Sequence, residues 1–383
     1  MKRGVTIFAA ICGLLAYTMA APAFSEFLLS SGVRYDLFSD DLVPESHGFE
    51  ITIPLGMAYK QEHYSVSMET AYVNATVEPS AESTARFSHL TDTLLSVAYT
   101  YSFPERPLGI IAGLNLNLPT GREQLSEREH TAEAGQQNDL FEVDNFGDGF
   151  NAGLSLGLVG DIGEFSLGIE GAYIFNGRFD PGSDSDDDEL DPGDQILGIA
   201  LLGWQAASRL TLDAFVAYSH FFPDHVDGEE NFREGDNVVV GGNLRYERDP
   251  LGIVVSLQGT VPQKDDLLIA ERLRTEPQNS SGNDFFGLVD MTYRPSQKLI
   301  LRVLGDIRYY GESDLNDEFT GLPFEGRRVR YAIGPGIIYG LNAHLSCNSL
   351  LKYFHMTSEP DVTEDEDVTF RGLNLDVGFT YTF

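Results

Sequence analysis

Cysteine is almost absent from this 383-residue chain: Cys12 sits in the N-terminal apolar run, and Cys347 is the only other one. A lone cysteine after leader removal forms no internal bridge, which excludes a disulfide-stapled scaffold. Cations are scarce as well, with 25 Lys and Arg against 59 Asp and Glu and a formal charge of −34. A polyanion needs a basic surface, so nucleic acid is excluded as a partner. Beyond the N-terminus no stretch approaches the ~20 uninterrupted apolar residues of a spanning helix. Mean hydropathy is −0.15, whereas a bundle of membrane helices would be clearly positive. What is plentiful is glycine, at 39, with 17 Tyr and 25 Phe.

The first 23 residues have the three parts of a secretory leader. Lys2 and Arg3 supply the positive start, Val5 to Met19 the apolar run, and Ala21-Pro22-Ala23 a small-x-small cleavage site. Residues 1–23 are therefore expected to be removed as a signal peptide, leaving 24–383 as a single domain. Loss of Lys2 and Arg3 takes the charge from −34 to −36.

The far end of the chain alternates strictly. Leu373, Leu375, Val377, Phe379, Tyr381 and Phe383 take one face, and Gly372, Asn374, Asp376, Gly378, Thr380 and Thr382 the other. A period of two with one apolar face is a strand half in contact with something greasy. Asp376, Gly378, Tyr381 and Phe383 stand at a spacing that resembles the closing-strand signal read by the outer-membrane β-barrel assembly machinery. The same alternation recurs about sixteen times along the chain. Very short connections (Gln61–His63, Pro104–Pro107, Asp161–Glu164, Arg248–Pro250, Gly340–Ala343) interleave with long ones rich in Asp, Glu, Gly, Pro and Ser.

Short turns on one side and long loops on the other are the asymmetry of an outer-membrane barrel. Lipid leaves no backbone group unpaired, so the sheet must close. The expected fold is an all-β, transmembrane antiparallel barrel of about sixteen strands, with fourteen or eighteen left open by one mis-split strand. Periplasmic turns are short and external loops long and acidic. Tyr59, Tyr99, Tyr101, Trp204, Tyr246, Tyr293, Tyr339 and Phe383 fall beside the short turns as an interfacial girdle. One strand, Gln195–Ala206, shows no clear face.

Reading the opposite face of each strand yields a charged lumen. Arg34, Arg245, Arg302, Asp306, Arg308, Arg328, Arg330 and Lys352 are candidate pore-lining residues around the closure seam, and Glu50, Glu69, Glu170 and Asp213 come from the first half. Sixteen strands are wide enough to leave water inside. Two arrangements fit: charges that pair off and keep the pore wet, or an arginine wall facing carboxylates across the channel. The longest connection, Pro119 to Gly149, resembles in its position the third loop of general porins, which narrows the pore from within. Glu142, Asp144, Phe146 and Asp148 would then form a constriction. The acidic run Asp180–Asp194 lacks the glycine and glutamate of a calcium-binding loop, so it reads as a solvated loop in contact with lipopolysaccharide; Asp224–Asp236 and Glu359–Asp367 read the same way. No metal and no cofactor is expected.

Thr91-Asp-Thr-Leu-Leu-Ser-Val-Ala-Tyr99 and Leu116-Asn-Leu-Pro-Thr-Gly121 resemble two neighbouring strands of the outer-membrane family grouped around the meta-pathway of phenol degradation, itself similar to fatty-acid and toluene transporters. The resemblance implies passage of small, often apolar molecules. Those transporters carry an N-terminal plug, for which about ten residues before the first strand leave no room. The expected function is a porin-like outer-membrane channel of a Gram-negative cell passing small-molecule solutes through a charged lumen. The alternative is a plug-less transporter for small hydrophobic or aromatic compounds. A barrel enzyme ranks last, because Ser219 and His220 are adjacent on a strand and point to opposite faces. Outer-membrane lipid surrounds the barrel, and a homotrimer is left open.

Overall fold

A computed structural model describes residues 26–41, 46–78, 84–122, 126, 129, 147, 149–180, 190–270, 272–313, 326–359 and 367–383. The leader and the candidate constriction residues Glu142, Asp144, Phe146 and Asp148 lie outside the described residues. The strands are β1 (Glu26–Ser39), β2 (His47–Lys60), β3 (Tyr64–Glu78), β4 (Ala85–Leu90), β5 (Thr93–Ser102), β6 (Leu108–Leu118), β7 (Asn151–Ile162), β8 (Phe165–Asn176), β9 (Leu190–Asp191), β10 (Gln195–Ala207) and β11 (Leu210–Phe221). They continue as β12 (Asp224–Val226), β13 (Glu229–Arg233), β14 (Asn237–Arg248), β15 (Leu251–Pro262), β16 (Asp266–Ile269), β17 (Arg272–Thr275), β18 (Asp284–Ser296), β19 (Leu299–Tyr310), β20 (Arg328–Gly340), β21 (Leu345–Ser358) and β22 (Val368–Thr382).

Seventeen of these make one sheet. β4 and β5 both pair with β3, one beyond the other, and act as one interrupted strand, so sixteen positions run around the wall. Closure comes from β22 lying antiparallel on β1, from Leu28↔Thr382 to Ser39↔Arg371. The terminal aromatic joins the seam: Phe383 N donates to Phe27 O at 2.9 Å, and the two rings are 5.2 Å apart. Gly378 faces Gly32 across the seam, and Asp376 faces Arg34. The strand faces that alternation marks as apolar turn outward, with Leu154 and Leu156 exposed at 63% and Ile169 at 60%. In water such a surface would drive aggregation; around a closed antiparallel barrel it is the lipid-facing band. The protein is an outer-membrane barrel, and no described helix is long and apolar enough to span a membrane.

The strand without a clear face in the sequence, β10, is apolar on both sides. Ile196, Leu202 and Trp204 are exposed outward, whereas Leu197 and Ile199 are buried inward. At the short-turn end Trp204 stacks on Phe165 at 5.9 Å, and Tyr99, Tyr101, Tyr293, Tyr339 and Phe383 are exposed beside it.

The loop expectation for Asp224–Asp236 needs correction. The connections after β8, β11 and β15 build a second, five-stranded sheet in the order β17-β16-β13-β12-β9. Its carboxylates are structural. Asp224 accepts from Gly193 N at 2.6 Å, Asp265 accepts from Gly235 N at 2.6 Å, and Asp266 pairs with Arg233 at 2.7 Å. Composition alone reads such a segment as solvated, but backbone amides aimed at the carboxylates order it.

Candidate functional site

Two walls of the lumen differ in chemistry. The first straddles the seam, on β18–β22 and β1–β4. Its register places Asp306, Ala332, Phe354, Gly372 and Phe38 side by side on the inner face. Phe38, Val73, Ala75, Val77, Ala85, Phe87, Ala332, Phe354 and Met356 pack there as an apolar cluster. The Phe354 ring packs against Gly372, where a Cβ would collide with the ring and with the Leu37 carbonyl oxygen.

Charges thread this cluster, and they are paired. Arg330, 1% exposed, donates to Asp306 Oδ1 at 3.2 Å and to Asn374 Oδ1 at 3.1 Å, and its guanidinium lies 4.7 Å from the Phe354 ring centre. Asn374 Nδ2 in turn donates to Asp36 Oδ1 at 2.7 Å. Lys352 Nζ approaches Asp306 Oδ2 at 3.6 Å, Arg302 Nε donates to Asp290 Oδ1 at 2.8 Å, and Arg34 stands 3.5 Å from Asp376. Thr52 donates to the buried Glu50 at 2.9 Å. Arg308 and Arg328 lie over Phe286 and Tyr310 at 5.4 and 5.1 Å. The cations of this wall thus meet carboxylates and rings of the same wall. A buried cation is tolerable only with partners of this kind.

The second wall is carried by β6–β8, β10, β11 and β14. Here Ile111, Gly157, Glu170, Ile199, Ala217 and Val239 form one continuous inner row. Leu197, Ile199, Phe215, Ala217 and Val239 pack as a second apolar cluster, with Ala172 and Leu201 against it. Gly241 leaves room for Phe215 as Gly372 does for Phe354. Asp213 stands within electrostatic reach of Arg245, and Glu69 is exposed.

The Thr91–Tyr99 and Leu116–Gly121 motifs meet at the break between β4 and β5. Asp92, 2% exposed, accepts from Asn117 Nδ2 at 2.7 Å and from Gly121 N at 2.8 Å. The hydroxyls of Thr93 and Thr120 are 2.7 Å apart, and Thr91 Oγ1 accepts from Ala71 N at 2.9 Å. The motif is a hydrogen-bonded joint that ends the β5–β6 pairing at Thr93↔Leu118 and lets β4 run on against β3 alone. Beside β4 an open cavity is lined by Phe49, Arg86, Phe87, His89 and Glu129, among others. Burial opposes ionisation of Glu129, but Ser126, His89 and Arg122 outweigh it and hold the carboxyl below its ordinary value. Asn117 and Glu129 carry no sequence signal of these roles beyond their motif neighbours.

His220 faces outward and bonds Asp236 at 2.8 Å, with Tyr218 on the same carboxylate, while Ser219 is buried on the inner face. The two do not meet.

No protein-family model matches the chain, and no curated protein matches it. Among solved structures it is similar to the toluene transporter TbuX of Ralstonia pickettii (11% identity, 95% of this chain and 90% of that one, TM-score 0.43). It is also similar to an outer-membrane channel from Pseudomonas putida F1 (9%, 95% and 97%, 0.38) and to an anion-selective porin from Comamonas acidovorans (12%, 94% and 99%, 0.43).

Proposed function

We propose that this barrel is an outer-membrane channel for small solutes whose bodies are largely apolar. The observation that carries this reading is the pair of apolar clusters on the inner face, around Phe354 and around Phe215. A pore that served only hydrated ions would gain nothing from them, because apolar lining raises the cost of an ion's transit. The paired charges keep the lumen polar without presenting a bare field. Sixteen strands are wide enough for the lumen to hold a channel.

Liposomes carrying the refolded protein would be compared for uptake of benzyl alcohol and of a sugar of similar size. Faster uptake of the alcohol than its background leak through protein-free liposomes, with the sugar slower, is the expected result. Equal rates for both would return the chain to a general porin. That second reading rests on the Arg302–Asp290, Arg330–Asp306 and Arg34–Asp376 pairs.

A further inference from the structure

We infer that Glu170 is the anchor of a solute subsite for a small organic cation, an ammonium group on an apolar body. The inference rests on the channel reading and names one solute class for it.

Glu170 projects from β8 into the lumen, between outward-facing Ile169 and the exposed backbone of Gly171, and its row neighbours are Gly157 and Ile199. The Ser155 side chain lies beside the carboxyl. Oε2 is out of contact with water and has no hydrogen-bond partner. No described cation forms an ion pair with it, whereas Asp290, Asp306 and Asp376 each have an arginine within 3.5 Å. Buried acceptors are nearly always satisfied, and one that is not needs an explanation. A solute ammonium brought to the exposed part of the carboxylate supplies the positive charge that the wall does not. The apolar remainder of the solute finds the partly buried Ala172 and Leu201 alongside. Both halves of the solute are then matched by neighbouring groups on one wall. Excess acid over the whole chain favours arrival of a cation.

The test uses the refolded full-length chain in planar bilayers carrying KCl current. The probes are benzylammonium, benzyl alcohol and benzenesulfonate, and the reading is the concentration at which each interrupts the current. Comparing probes within each protein cancels any change in open-channel current. Wild type should respond to benzylammonium at a concentration about ten-fold lower than to benzyl alcohol. Glu170→Gln should erase that difference, and Glu170→Asp, which keeps the charge, should retain part of it. Equal responses to the amine and the alcohol in wild type, or an unchanged ratio in Glu170→Gln, would overturn the subsite. A correctly folded barrel that passes no KCl current would instead overturn the channel reading, and the subsite with it.

Discussion

Both lumen walls bury an apolar cluster yet they treat charge in opposite ways. On the seam wall, Arg330 is enclosed with Asp306, Asn374 and the Phe354 ring, so its charge is answered within a few ångströms. On the far wall, Glu170 lies beside Ser155 and has no cation among the described residues. The lesson is that the number of charges in a lumen says little about its field. Partners decide whether a charge is structural or available to a solute.

The largest expected effect comes from breaking the enclosed pair. Asp306→Leu alone leaves the enclosed Arg330 without a carboxylate and should cost about 3–5 kcal/mol, and Arg330→Met, which leaves Asp306 beside Lys352, should cost less. Replacing both together should cost less than the two single changes added. Denaturant titration of the refolded barrel in micelles checks this, and strict additivity would mean that the pair is not coupled.

Next is the joint at the broken strand. Asp92→Ala removes two charge-assisted bonds, from Asn117 and Gly121, and should cost about 1.5–3 kcal/mol on the same assay. Gly372→Val tests the wall in another way. The Phe354 ring must tip into the channel, or β22 must shift away from the Leu37 carbonyl oxygen that the new side chain also meets, at about 1–3 kcal/mol. Lower single-channel conductance with intact folding identifies the first outcome.

Selectivity should move by a smaller margin. Arg302→Gln frees Asp290 and should shift the reversal potential under a salt gradient towards cations. An unmoved potential would place the selectivity-determining charge elsewhere. The smallest effect is at the rim. The backbone amide of Thr369, chiefly, and Arg371 hold the Asp41 carboxyl below its usual value. A depressed carboxylate contributes stability above its unfolded value of about 3.9, and that contribution fades as pH falls below it. Asp41→Asn should therefore narrow the difference between neutral and acid stability slightly, read from unfolding midpoints at pH 7 and pH 3.

Much of this was legible beforehand. Period-two alternation, strand by strand, located the wall, its inner and outer faces and the short turns, because lipid on one side and water on the other impose that period. It placed Arg34, Asp306, Arg330, Lys352 and Glu170 on inner rows. It failed at β10, where both faces are apolar, and at Asp224–Asp236, where acidic composition masked two strands. The Thr91–Gly121 motifs were visible as a resemblance, but their role as a joint needed Asn117 and Asp92 to be brought together from strands apart in sequence.

The chain by itself determined that an acidic, cysteine-poor polypeptide closes into an even-stranded barrel, since alternation and turn length are local properties. Tertiary structure alone decided which charges meet. Whether Asp306 neutralises Arg330, or Glu170 stays without a cation among the described residues, depends on register between strands far apart in the chain, and a one-residue slip would rearrange every pair.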